Sequence, residues 1–267
     1  MIRDITIGQY YPSGSVLHRL DPRTKILGTV IFIISLFIGD SVLSYGIATV
    51  FLALMIKVSK VPLKFIVKGL RPIVILLVFS IGINMLFTPG DAIVSFGFLT
   101  ITKQGVKLAL FLGIRLVYLI IGSSLMTFTT TPTALTDGLE KLFGFLKVLK
   151  VPVHEVAMMM AIALRFIPIL TEELDKIMKA QAARGADFNR GSLKEKLHGL
   201  IPILVPLFVS AIRRSNDLAM AMEARCYHGG DGRTRMKPLV YQKEDGLAYG
   251  VLIFYLLIII LVRLFLR

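Results

Sequence analysis

Two stretches of this 267-residue chain end alike: KAQAARGADF at 179–188 and MAMEARCYHG at 220–229. Each is an amphipathic run that closes on an arginine between two small residues, Ala183-Arg184-Gly185 and Ala224-Arg225-Cys226, and the two arginines stand 41 positions apart. A guanidinium is planar, always charged and offers five donors in a fixed fork. Between small neighbours it is unshielded and can enter a groove to meet carboxylates or carbonyls bidentately. The plainer alternative is a cation in a last helical turn, favoured by the helix dipole and followed by Gly185, or by Gly229-Gly230, as an ordinary C-cap. Because the arrangement occurs twice, a docking role is preferred for the pair.

Other residues that could do chemistry are scattered. Cys226 is the single cysteine, so no internal disulfide and no C-x-x-C metal site can form. His18, His154, His198 and His228 are far apart in sequence and read as interfacial or capping residues. There is no G-x-x-x-x-G-K-[ST] loop to hold ATP and no coherent Ser/His/Asp or Cys/His set. The chain is therefore expected to have no catalytic residue, no metal site and no cofactor. Arg115 and Arg165 lie in or beside apolar runs, where an arginine at bilayer depth costs at least ~2.5–3.5 kcal/mol, so each is either functional or snorkelled to an interface. Asn84 is expected to make an interhelical hydrogen bond. Met158, Met159, Met160, Met178, Met220 and Met222 serve either plain packing or an adaptable contact surface.

The elements that must carry the two tips follow from composition. With 55% hydrophobic residues and a mean hydropathy of +0.75, the chain has more apolar surface than a water-soluble core of this size can bury. Runs free of acidic residues cover 26–39, 41–56, 72–88, 105–130 and 247–262. About 20 residues of helix cross the ~30 Å of hydrocarbon, so five spans are expected. The opening MIRDITIGQYYP lacks the apolar core and small-residue cleavage site of a removable signal peptide. Asp21 and Pro22 suit the N-cap and first position of the first span. Lys57, Lys60, Lys64, Lys68 and Arg71 make a connection with no acidic residue, whereas turn 40–41 has no Lys or Arg. The positive-inside rule then puts 57–71 and 131 onward on the cytoplasmic side and 88–104 outside, and leaves 153–170 embedded, interfacial or spanning. The formal charge of +14 is explained by this topology, with the lipid bilayer as partner and no nucleic acid.

Segment 88–105, TPGDAIVSFGFLTITKQG, carries turn residues among alternating β-formers and reads as a short hairpin or irregular cap. Beyond Thr131 the pattern changes. Leu135, Leu139, Leu142, Phe143, Leu146 and Leu149 recur at helical spacing among charges, a one-faced helix. Two longer segments follow, VHEVAMMMAIALRFIPILTEELDKIMKAQAARG and SLKEKLHGLIPILVPLFVSAIRRSNDLAMAMEARC, each read as an apolar stretch broken at proline (Pro168; Pro202 and Pro206) and a wet amphipathic stretch ending at an arginine. Superposing the arginines lays Glu172 and Glu173 on Arg213 and Arg214, which predicts two long helices that cross and pair. The expected fold class is all-α: a polytopic membrane protein with about five transmembrane helices and a cytoplasmic-side coupling region of long amphipathic helices. Its expected divisions are a transmembrane region over 1–131, coupling helices with two X-Arg-X tips over 132–230, and a linker with a last span over 231–267.

SVLHRLDPRTKI, ALRFIPILTEELDKIMKAQAARG and AMEARC resemble, in this order and across nearly the whole chain, the transmembrane T components of energy-coupling factor transporters, bacterial uptake systems for vitamins and metals. The resemblance implies a multi-pass scaffold of the bacterial cell membrane that joins two cytoplasmic ABC ATPase subunits to a substrate-binding membrane S component, with ATP hydrolysis left to the partners. It also implies that X-Arg-X motifs dock in the ATPases, one motif per subunit. Ala183-Arg184-Gly185 matches the first motif in full; in the second, Ala224-Arg225-Cys226, Cys226 stands where the family usually has glycine. Two other readings start from the same residues. A self-sufficient secondary carrier would need polar groups converging at mid-membrane, and no acidic residue occupies the five runs. A membrane anchor for a non-ATPase partner would tolerate lysine at the tips, since a bare charge needs no fork.

Overall fold

The computed structural model describes residues 10–70, 73–96, 99–186, 193–230, 236 and 238–265. Residues 1–9, Arg71, Ser192, 231–235 and Arg267, which the sequence reading touches, lie outside them. In chain order the elements are α1 (Val16–Arg19), α2 (Pro22–Ile38), α3 (Val42–Ser59), α4 (Leu63–Leu70), α5 (Val74–Phe87), β1 (Ala92–Phe96), β2 (Leu99–Thr102), α6 (Lys103–Thr129), α7 (Pro132–Leu142), a 3₁₀ segment Phe143–Leu149, α8 (Val153–Ala183), α9 (Leu193–Ala224) and α10 (Lys243–Phe265). They fall into two compact units, one of 1–138 with 239–267 and the other of 139–238.

The first unit is a helical bundle whose α2, α3, α6 and α10 pack on one another. As expected, Asp21 caps α2 by accepting the amide of Arg23, with Pro22 at the first position. Helices α3, α6, α8 and α10 are long and apolar enough to cross a bilayer, and α4 with α5 makes a fifth if that pair, bent by 59°, is a single broken span. The expected count of about five is thus met with a changed membership. Helix α2 has 17 residues, at the short end for a span, and α8, whose relation to the membrane the sequence leaves open, qualifies by length and composition.

Lipid tails are as apolar as leucine, so shape decides where these helices touch. Phe32, Leu36, Ala48, Leu52, Tyr255 and Ile259 form the core of the bundle. The rings of Phe51 and Tyr255 stack at 4.2 Å, and the Tyr255 hydroxyl is 2.8 Å from Ser35 Oγ. A Cβ at Gly122 would stand 2.8 Å from the Phe32 ring, which is why α2 and α6 approach there. Large apolar side chains face outward, Ile75 and Phe79 on α5 and Phe254 on α10 among them, as lipid contact requires. The segment after Thr88 does form a hairpin: β1 and β2 pair antiparallel, Ser95 opposite Thr100 and Phe96 opposite Leu99.

In the second unit α8 and α9 pack together. Two expectations are corrected here. Pro168 does not break α8, and Pro202 and Pro206 do not break α9; each is one helix of 31 and 32 residues. A proline deletes one intrahelical donor, and the remaining ladder of a long helix can absorb that loss as a bend. The one-faced helix of 135–149 is α-helical only to Leu142, and the rest winds as a 3₁₀ segment that Lys150 closes at φ +59°.

Candidate functional site: two arginine-capped helix ends

Both arginines occupy the C-cap position, and the two ends share one hydrogen-bond pattern. On α8 the amide of Gly185 donates to Ala182 O and that of Ala186 to Gln181 O, each at 3.0 Å. On α9 the amide of Cys226 donates to Glu223 O at 2.9 Å and that of Tyr227 to Met222 O at 3.0 Å. These are the two bonds of a Schellman ending, which satisfies the carbonyls that a helix terminus leaves open. The motif needs a left-handed residue just after the cap. Gly185 supplies it at φ +89° and Cys226 at φ +55°. The glycine missing from the second motif is therefore replaced in conformation by the cysteine, at the steric cost of a side chain there, ~1–2 kcal/mol. Gly229, at φ +101°, lies beyond this turn, so the cap expected from Gly229-Gly230 is corrected to Cys226.

Ala183, Arg184, Gly185, Ala224, Arg225 and Cys226 are all exposed. Among the described residues neither guanidinium has a hydrogen bond or ion pair. The helices that carry them are held by Glu173 and Arg214, whose Oε2 and Nη2 lie 3.3 Å apart, and by Gln181 Nε2 donating to Pro202 O at 3.2 Å. As the opposite charges predict, α8 and α9 pair; contacts 173 to 214 and 181 to 202 run in opposite senses, so the pairing is antiparallel. Glu173 and Arg214 are themselves 41 residues apart, the spacing of the two tips. In a pair related by an approximate twofold axis, a residue on the axis meets its own counterpart. The ion pair marks that axis, and each arginine stands eleven residues, ~16 Å of helix, beyond it.

The other predicted residues separate from the tips. Arg115 donates from Nε to the Tyr45 hydroxyl at 2.9 Å, reaches Asp40 at 3.5 Å and lies 5.1 Å from the Phe37 ring centre, so it is used within the first unit. Arg165 is exposed on α8. Asn84 bonds within its own helix, Nδ2 to Ser80 O at 2.8 Å, which corrects the interhelical expectation: the carbonyl one turn back is the nearest acceptor. His18 is held by Ser15 Oγ and Tyr11 O, each at 2.7 Å, and His154 Nδ1 by Glu140 Oε1 at 3.0 Å. His228 is exposed, and the side chain of His198 is outside the described residues. Met159, Met160 and Met220 are exposed, Met158, Met178 and Met222 half-buried.

A second cluster escaped the sequence reading. Arg23 grips Asp21 with two bonds, Nε to Oδ1 at 3.0 Å and Nη2 to Oδ2 at 2.8 Å, and its guanidinium lies 3.9 Å over the Tyr241 ring. The Asp21 amide donates to Asp245 Oδ1 at 2.8 Å, and Lys25 Nζ donates to His18 O and Thr129 O. Arg23 thus ties the start of α2 to the segment that leads into α10, and Lys25 ties it to the ends of α1 and α6. Asp245 could not be found from local pattern, because its partner is 224 residues away.

Comparison with known proteins gives consistent relatives. A family model described as cobalt transport protein, CbiQ, matches residues 13–237. Relatives described as "Energy-coupling factor transporter transmembrane protein EcfT" include the following three. That of Ruminiclostridium cellulolyticum is 52% identical over 98% of both chains. That of Clostridium kluyveri is 54% identical over 93% of both, and that of Bacillus subtilis 46% identical over 92% of this chain and 93% of its own.

Proposed function

The chain belongs to the CbiQ family and is a transmembrane component of an energy-coupling factor transporter in a bacterial membrane; from that premise we propose that it is the coupling scaffold, with Arg184 and Arg225 as its two docking prongs. Each prong seats in a groove of one of two cytoplasmic ABC ATPases, and the membrane-embedded part holds a substrate-capture S component for uptake of a vitamin or metal. ATP binding and hydrolysis belong to the ATPases, and this chain does no catalysis. The observation that carries the reading is the pair of matched Schellman ends, which hold two guanidiniums, unpartnered among the described residues, in the same backbone setting at equal distance from the Glu173–Arg214 contact.

The mechanism follows from rigidity. Helices transmit a displacement with little loss where their hydrogen-bond ladder is intact, and beyond Pro168 in α8 and Pro206 in α9 no further proline interrupts the run to the tips. When ATP draws the two ATPases together, the grooves move and the arms turn about their crossing. The greasy parts of α8 and α9 then shift against the S component and tilt or release it. A secondary carrier needs no such prongs.

Copurification with the two ATPases and an uptake assay test the proposal. A guanidinium lost from a desolvated, hydrogen-bonded seat costs ~2–5 kcal/mol of binding, ~30-fold to several thousand-fold. Arg184→Glu and Arg225→Glu should each weaken assembly and uncouple ATP hydrolysis from uptake, and the double change should abolish both. Arg184→Lys should also fail, because lysine keeps the charge and loses the fork. Full assembly and uptake by the double variant would overturn the proposal, and full activity with lysine at both tips would favour the simple anchor.

A further inference from the structure

The first unit contains a half-open cavity of about 280 Å³ among α1, α2, α3, α6 and α10. One end is lined by Leu20, Thr24 and Lys25 at the start of α2, Val58 at the end of α3, and Glu244 and Leu247 near the start of α10; the other is closed by Phe32, Phe51 and Leu252. From Thr24 to Phe32 the wall spans eight residues of α2, ~12 Å, which is most of the ~15 Å hydrocarbon half of a bilayer. Apart from Thr24, Thr29, Thr129, the exposed Glu244 and Lys25, whose ammonium is already bonded to His18 O and Thr129 O, the lining is apolar, so the cavity offers little to a polar solute.

Its polar end is different. Arg19 adjoins Leu20, and Lys57 and Lys60 flank Val58. All three are exposed, and among the described residues none has a carboxylate partner. Three uncommitted cations beside lining residues, against the single carboxylate of Glu244, leave this end of an apolar slot about one leaflet deep net positive, which is complementary to one class of molecule, an anionic head on an apolar tail. We propose that the cavity binds one acyl chain of an anionic glycerophospholipid, with the phosphate held at the rim by Arg19, Lys57 and Lys60. The site is independent of the ATPase-docking prongs.

The chain contains no tryptophan, so a single introduced tryptophan is a background-free reporter. The full-length protein would be reconstituted in phosphatidylcholine vesicles with Leu54→Trp or Val251→Trp in the cavity lining, or with Leu264→Trp, an exposed residue of α10 outside it, as control. Quenching by acyl-brominated phosphatidylglycerol is compared with quenching by acyl-brominated phosphatidylcholine at the same low mole fraction. The cavity reporters should be quenched by the anionic lipid at a mole fraction at least about fivefold lower, and the control by both lipids equally. Each of Lys57→Gln and Lys60→Gln should cut the anionic preference about fivefold, the factor expected per basic residue near a membrane surface. Equal quenching by the two lipids at the cavity reporters would overturn the proposal. Protection of both cavity reporters from either lipid would also overturn it, assigning the slot to a protein segment.

Discussion

Arg23 and Arg184 are the same chemical group in opposite circumstances. In the first unit Arg23 has a carboxylate in bidentate grip, a ring beneath it and a carbonyl, Leu239 O, at 3.4 Å, and its side chain is only 15% exposed. In the second unit Arg184 and Arg225 cap matched Schellman turns and, among the described residues, have no partner for the charge. The sequence around a cation does not decide between structural and docking roles; whether the fold returns a counter-ion to it does. Arg214 stands between these extremes, paired with Glu173 at 3.3 Å but 39% exposed.

Stripping each kind of arginine of what it has separates the two circumstances most strongly. Asp21→Ala leaves Arg23 without its carboxylate and α2 without its cap, and loss of one partner from a buried pair costs ~3–5 kcal/mol. Thermal unfolding of the purified protein should show that loss, whereas Arg184→Ala should stay within ~0.5 kcal/mol of wild type. Equal stability losses in the two variants would erase the distinction. The acid limb adds a second reading. Burial pushes the Asp21 carboxyl up, but the hydrogen bonds from the Arg23 side chain and backbone, with the charges of Arg23 and Lys25, outweigh burial and hold it below its ordinary value. A depressed native pKa gives stability that is complete above the unfolded value near ~4 and is lost as pH falls through the native one. Asp21→Asn should therefore flatten the stability profile below pH ~4 and leave its shape near neutrality unchanged.

Legibility in the sequence follows the range of the interaction. The capped start of α2, the hairpin after Thr88, three of the spans and the two arginine-tipped helices are set by neighbours a few residues apart, and pattern reading finds them. The pairing of α8 and α9 is readable because the repeat places opposite charges on one another; its antiparallel sense is not. Unread were Asp245, whose partner is at the other end of the chain, and the continuity of α8 and α9 through three prolines, which depends on the long ladder around each proline. The left-handed Cys226 was also unread, since a cysteine carries no turn signal of its own.

That cysteine gives a smaller test, of the tip backbone without its charge. Gly185→Ala puts a Cβ on the residue that closes the first Schellman turn at φ +89°, where nothing crowds it but the backbone disfavours it, at ~1–2 kcal/mol. Cys226→Gly removes the same penalty from the second turn. Amide hydrogen exchange of the last turns of α8 and α9 should move in opposite directions, faster in the first and slower in the second. If the two helix ends are equivalent seats, Cys226→Gly should leave ATPase copurification intact or improve it modestly. A loss of assembly there would mean that the cysteine side chain itself makes a contact, and that the two tips are unlike in kind.

The smallest effect on stability should come from Glu173 and Arg214, yet this pair tests how the two tips are related. Both side chains are near the surface, so the ion pair contributes no more than ~0.5–1 kcal/mol. Glu173→Arg places two cations together at the approximate twofold axis and should loosen the crossing of α8 and α9; Arg214→Glu does the same with two anions. Exchanging both restores attraction with the polarity reversed. If the contact serves as the pivot between the tips, ATPase binding should survive each single change, because the prongs are untouched, while coupling of ATP hydrolysis to uptake falls in both singles and returns in the exchange. The double-mutant cycle reads that coupling apart from the stability of the two residues taken separately. Unchanged coupling in the single variants would leave the tips as two independent anchors on the same chain, each holding its ATPase with nothing passed between them.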